Sequence, residues 1–134
     1  ASPGYLERHG TPGRVEELAR HRLVGFVAPA SLNTWPLHAG AGAEDGLRIA
    51  PHVTATSGET IRHLALRGAG IVSLSDFLTR ADVAAGRLVP VLEDAALPWT
   101  QSVWAVFYKQ GALAPRVKAL VDFLADRLAG VLEP

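Results

Sequence analysis

Residues 56–92 constrain the chain most, because they read in order as a capped helix, a glycine exit, a buried strand, a short helix and a second strand. That is the order of a binding cleft. Thr56, Ser57, Gly58 and Glu59 fit a capping box, in which the Thr56 hydroxyl serves one orphan amide and Glu59 reaches back to another. Ile61, Leu64, Ala65 and Gly68 follow at helical spacing. Gly68, Ala69 and Gly70 supply backbone that ends a helix, and residues 71–74 are short and apolar enough for a buried strand. The second helix is expected over 75–85, closed by Gly86, with the second strand over 87–92.

The flanks are read in the same way. Residues 5–10 form a helical turn stopped by glycine. Thr11 and Pro12 are cap and first residue of a helix running to about His21, with Val15, Leu18 and Ala19 inward. An apolar strand follows over 23–28, whose Gly25-Phe26 pair marks a close approach to the backbone, a bulge or a packing accommodation. A hairpin is expected next: a strand around Trp35 over 33–39, a small-residue turn over 40–46 and a return strand over 47–53. Residues 94–99 are a proline-containing connector. Residues 101–109 carry apolar side chains on both faces, as a strand covered on both sides would. Pro115 opens the last helix, with Val117, Leu120, Val121, Leu124 and Leu128 on one stripe. At ~1.5 to 3 kcal/mol per buried side chain that stripe is too costly to leave wet, so it is expected to fold back on the rest of the chain or pair with another chain.

Composition closes off several functions. A 134-residue chain, 49% hydrophobic and 19% charged, can build a real core. Thirteen basic side chains balance thirteen acidic ones, so this segment lacks the basic surplus that releases counterions from nucleic acid. With no cysteine there are no disulfides, thiolate metal sites or cysteine nucleophiles. No apolar run approaches the ~20 residues that span a bilayer, and no signal peptide is evident, so no membrane partner is expected.

Catalytic and metal constellations are missing from the pattern. His9, His21, His38, His52 and His63 have no ligand spacing; His21 suits a carbonyl-binding cap and His63 an exposed helix face. None of Ser57, Ser73 and Ser75 lies in Gly-x-Ser-x-Gly. Gly68-Ala69-Gly70 follows a helix and precedes a strand, the reverse of a dinucleotide loop. Glu16-Glu17, Glu44-Asp45 and Glu93-Asp94 are adjacent in sequence and read as solvated pairs, without the separation of a glycosidase dyad. The reading is a non-enzyme without cofactor or metal. What remains is the start of the middle helix, where free amides, two hydroxyls and the positive dipole end suit a carboxylate.

Taken with Ala1-Ser2-Pro3-Gly4-Tyr5-Leu6, with Leu18-Ala19-Arg20-His21 before a strand, and with the 103–108 strand before a proline-initiated helix, the series resembles the effector-binding domain of LysR-type transcriptional regulators over nearly all of the chain. The resemblance implies an α/β fold: one lobe of a type II periplasmic-binding-protein-like domain, a mixed sheet flanked by helices, over residues 1–101, and a return strand and helix of the other lobe over 102–134. It implies a fragment, since the opening motif lies in mid-domain in that family. It implies a small-molecule inducer between two lobes, here contacted by Phe26, Val27 and Ala28, by Thr56 and Ser57, and by Gly70, Ile71 and Val72, with Thr56 and Ser57 as polar anchors. Because the first lobe also supplies contacts, this piece alone should bind an effector weakly or not at all. Further implications are a homo-oligomer, DNA contact only through an absent N-terminal domain, and a cytoplasmic location. The family often has Leu-Pro where this chain has Leu74-Ser75, so the turn leaving the strand should differ. A transport-type solute-binding lobe shares the fold and is the alternative.

Overall fold

A computed structural model of the chain describes residues 1–38, 46–100, 104, 106 and 115–128. They fall into two units, Ala1–Trp99 and Thr100–Pro134. The first is built on a small parallel sheet. β1 (Val24–Phe26) pairs in parallel with β4 (Val53–Ala55), setting Val24 opposite Val53 and Phe26 opposite Ala55. On the other edge of β1, Leu23 bridges Ile71, again in parallel. Between β1 and β4 the chain makes an antiparallel pair, β2 (Thr34–Trp35) with β3 (Leu47–Arg48).

α1 (Pro3–His9) follows Ser2 and places Tyr5 and Leu6 in the core. Tyr5 is fully buried; its hydroxyl accepts the Arg22 N–H at 2.9 Å and is hydrogen-bonded to His21 Nδ1 at 3.2 Å. His21 is therefore tied to a tyrosine hydroxyl, not to a carbonyl as its position at a helix end suggests. His63 lies on an exposed helix face, as expected, 3.1 Å from Glu59. The expected helix from Thr11 is instead a 3₁₀ helix, Val15–Arg20, with no side-chain cap. In a three-residue turn positions three apart eclipse, so Val15 and Leu18 are buried while Ala19 turns outward. With Tyr5, Leu6, Leu23, Trp35, Ile49 and Ile71 they form the core.

α2 (Gly58–Leu66) packs on β1, β4 and α3 (Asp76–Ala84). Ile61 and Ala65, four apart, are fully buried. The helix leaves through Gly68 at φ 75°, with Gly68 N–H on the Ala65 carbonyl and Ala69 N–H on the Leu64 carbonyl. That is the paired bonding of a glycine-terminated helix. α3 ends before Gly86, as its sequence implies. Asp82 on α3 is completely buried, accepting Arg62 Nε at 2.5 Å and Arg87 Nε at 2.7 Å. These bonds clasp α2, α3 and the following segment. The Arg62 hydrogen bond first, and then the one from Arg87, hold the Asp82 carboxyl below the usual aspartate range.

Two expected strands are shorter than their apolar patterns. Of 71–74, Ile71 alone is bridged. Residues 87–92 form no strand: Val89 exchanges hydrogen bonds with Ala1, Pro90 has no N–H to continue a ladder, and Leu92 turns left-handed at φ 61°. The hairpin is likewise limited to two residues a side, and its tip at 39–45 lies outside the described residues. Ile49 N–H extends it by one bond to the Asn33 carbonyl, before Pro51 breaks the return strand that was expected to reach Val53.

In the second unit, α4 (Pro115–Leu128) has no buried residue; Leu120 and Phe123 are 57% and 54% exposed. The 101–109 strand falls almost wholly outside the described residues.

Candidate ligand-binding site

The chain runs from β1 to β4 on one side of β1 and then to Ile71 on the other. The strand order therefore reverses at β1, and in open α/β sheets ligands bind outside the carboxyl ends of the strands at such a reversal. Phe26 and Ala55 are paired at those ends. Val27 N–H donates to the Ala55 carbonyl at 3.0 Å, and α2 begins three residues after Ala55. Phe26, Val27, Ala28, Thr56 and Ser57 thus come together at one mouth. Phe26 is half-buried, the other four exposed.

Ser57 caps α2. Its Oγ accepts the Thr60 N–H at 3.2 Å and lies 2.9 Å from Thr60 Oγ1. The cap is one residue later than the box read from sequence, and Glu59, instead of reaching back, pairs with Arg62 and His63. Thr56 is left outside the capping role. The Gly58 and Glu59 amides, in the first turn, have no intrahelical acceptor. Beside them stands an apolar shoulder: a Cβ at Gly58 would lie 2.9 Å from Leu78 Cδ1, 3.7 Å from Leu74 Cδ2 and 4.0 Å from the Phe26 ring.

The remaining three residues named from sequence lie elsewhere. Gly70 is buried against the Arg22 carbonyl, which a Cβ there would strike. Ile71 exchanges backbone hydrogen bonds with Arg22 and Val24 at the opposite end of β1 from the mouth. Ile71 and Val72 line a half-open apolar recess of ≈ 240 Å³ that Leu74 also lines.

Sequence reading missed Asn33. Its carboxamide accepts the Phe26 N–H and donates to the Phe26 carbonyl, both at 2.8 Å. Val24 N–H points to Ile71, and by the two-residue period of a strand Phe26 N–H points to the same edge. Asn33 therefore acts as a strand partner at the point of reversal, and it consumes the Phe26 peptide groups that a ligand could otherwise meet. It also explains Gly25, where a Cβ would collide with the Asn33 amide oxygen and touch Pro51. The signal available in sequence was Gly25 itself, a glycine in a strand, without its partner.

Among the described residues no three His, Asp or Glu side chains converge as a metal site would require. No helix there is long and apolar enough to cross a membrane.

The model of the LysR substrate binding domain matches residues 1–129. The chain belongs to the LysR substrate-binding domain family. It is similar to the HTH-type transcriptional regulator CrgA of Neisseria meningitidis serogroup B, 46% identical over 98% of this chain and 44% of the relative. It is 31% identical to the HTH-type transcriptional activator TtdR of Escherichia coli K12 over 93% of this chain and 40% of that protein. The LysR domain thus spans less than half the length of these relatives, both described as transcriptional regulators. Its fold superimposes on the CrgA regulatory domain with a TM-score of 0.89, covering 96% of this chain and 62% of that one. The match confirms the periplasmic-binding-protein-like α/β architecture expected from the resemblance.

Proposed function

We propose that this LysR domain senses a small carboxylate-bearing effector and passes its occupancy to a DNA-binding segment elsewhere in the full-length protein. The observation that carries the reading is the pairing of Phe26 with Ala55 at parallel strand ends, followed directly by the Ser57-capped start of α2. First-turn amides without intrahelical acceptors and the helix dipole favour an anion, while Phe26, Leu74 and Leu78 offer an apolar flank for its body. Thr56 and Ser57 are the anchors, with Val27 and Ala28 on the rim. Gly70, Ile71 and Val72 support the mouth from behind, by fixing β1.

In this reading residues 1–101 are the second regulatory lobe and 102–134 return to the first, whose other residues complete the cleft. Effector bridging the lobes shifts the population toward a closed arrangement and alters how a cytoplasmic homo-oligomer presents its helix-turn-helix domains to DNA. The relatives, described as transcriptional regulators, give no support to a transport-type lobe. The test is a titration of benzoate and of succinate into an intact two-lobe protein, with Ser57→Asp and Thr56→Val. Aspartate also caps helices, so Ser57→Asp preserves α2 while opposing an anion. Lost binding at unchanged Tm supports the reading; unchanged affinity in both variants retires it.

A further inference from the structure

The first turn of α2 carries an anion of its own. Glu59 lies two residues after the Ser57 cap, and a carboxylate in that turn is drawn to the same amides and dipole that the effector reading assigns to a ligand. The structure holds it elsewhere. Glu59 Oε1 accepts Arg62 Nη1 at 2.7 Å and lies 3.1 Å from His63 Nε2. An exposed pair of this kind is ordinarily worth little, because water and side-chain freedom compete with it. Here one partner is not free to move. The Arg62 side chain is only 20% exposed, and its Nε donates to Asp82 Oδ2 at 2.5 Å. Asp82 is wholly buried and takes Arg87 on its other oxygen. Breaking a buried pair leaves an uncompensated charge at high cost, so Asp82 fixes one side of the Arg62 guanidinium while the other side holds Glu59.

We propose that Asp82, acting through Arg62, is a positioning residue that keeps the Glu59 carboxylate off the start of α2 and so leaves that start open to an external anion. Released, Glu59 becomes an internal competitor, accepting the first-turn amides itself and repelling a carboxylate that approaches them. The consequence for binding rests on the effector reading; the placement of Glu59 does not.

The test uses the intact two-lobe protein and two readouts. The first needs no ligand: the Gly58 amide proton is followed by NMR through the acid titration of Glu59. In the parent it should stay still, and in Arg62→Met it should move with Glu59, as an amide proton does when a carboxylate accepts it. The second readout is affinity for benzoate and succinate. Arg62→Met should weaken it by ~3- to 30-fold, the span that a charge at a helix end commands, and Arg62→Met/Glu59→Gln should restore it. Arg87→Met also strips Asp82 of a guanidinium but leaves Glu59 held, so it should bind as the parent does; weakening equal to that of Arg62→Met would reduce the clasp to stability alone and overturn the proposal. So would a Gly58 proton that titrates with Glu59 in the parent or in neither protein, or a double variant that binds no better than Arg62→Met. If Arg62→Met does not fold, Glu59→Gln alone decides: affinity close to the parent's is expected, and a gain of ~3- to 30-fold would show that Glu59 already competes. A parent that binds neither carboxylate would retire the effector reading, and the amide titration would still decide where Glu59 is held.

Discussion

α2 and α4 are both amphipathic helices, and the structure treats them differently. α2 has its start capped by Ser57, its end closed through Gly68, Ile61 and Ala65 buried, and Arg62 clasped to Asp82. α4 has Leu120, Phe123, Leu124 and Leu128 exposed and no buried residue. An apolar stripe states what a helix needs, and only its surroundings state whether it is met. α2 is held along its whole length, so its first turn can serve as a fixed ligand platform. α4 carries the same kind of stripe with none of its own residues buried.

The largest expected effect of this contrast is on stability. Measured on this chain, Ile61→Ala should cost ~2 to 5 kcal/mol in urea unfolding, the range for emptying a packed site, whereas Leu120→Ala, exposed here, should stay within ~0.5 kcal/mol, as surface changes do. Equal losses would erase the distinction between the helices.

Acid should release the clasp next. Asp82 has its folded-state pKa depressed, chiefly by the Arg62 hydrogen bond. In the interval between that depressed value and the ordinary aspartate value the unfolded chain binds more protons, so stability rises with pH there. The contribution is complete above the unfolded value and is lost as pH falls through the folded one. Asp82→Asn should lower stability at neutral pH and flatten that acid limb in pH-dependent urea titrations; an unchanged acid limb would show that the clasp does not set it.

Smaller effects concern the mouth. Asn33→Ala leaves the Phe26 N–H and carbonyl without their partner, and unmade hydrogen bonds of this kind cost ~1 to 3 kcal/mol. Amide exchange at Phe26 should accelerate in that variant more than at Val24, whose partner is Ile71. Ser57→Ala should cost ~1 kcal/mol through the lost cap and Ser57→Asp less, because aspartate still accepts the first-turn amide. The two are separable by thermal unfolding.

Much of the frame was legible from residue order. The helix over 58–66, its glycine exit and the Gly86-closed helix follow from local rules that caps and periodicity obey. What could not be read depends on partners distant in sequence. Asp82 sits on a short helix like any solvated aspartate, and its burial is decided by Arg62, twenty residues away. Asn33 lies in a 3₁₀ turn, Ala30–Asn33, with nothing local to reveal that Phe26 is its partner. The cap fell on Ser57 instead of Thr56 because β4 keeps the chain extended through Ala55 and the helix begins only at Gly58. Of the eight residues named for the site, five meet at the strand ends, while Gly70, Ile71 and Val72, grouped with them through the family resemblance, lie along β1 away from that mouth, where Ile71 bridges Leu23.

The central claim is that the start of α2, held rigid between β4 and α3, receives an anionic effector. Calorimetric titration of benzoate and succinate into the intact two-lobe protein and into its Ser57→Asp variant tests it most directly. The account predicts measurable binding of a carboxylate by the parent and none by the variant at equal Tm. Equal affinity in the two proteins would contradict it.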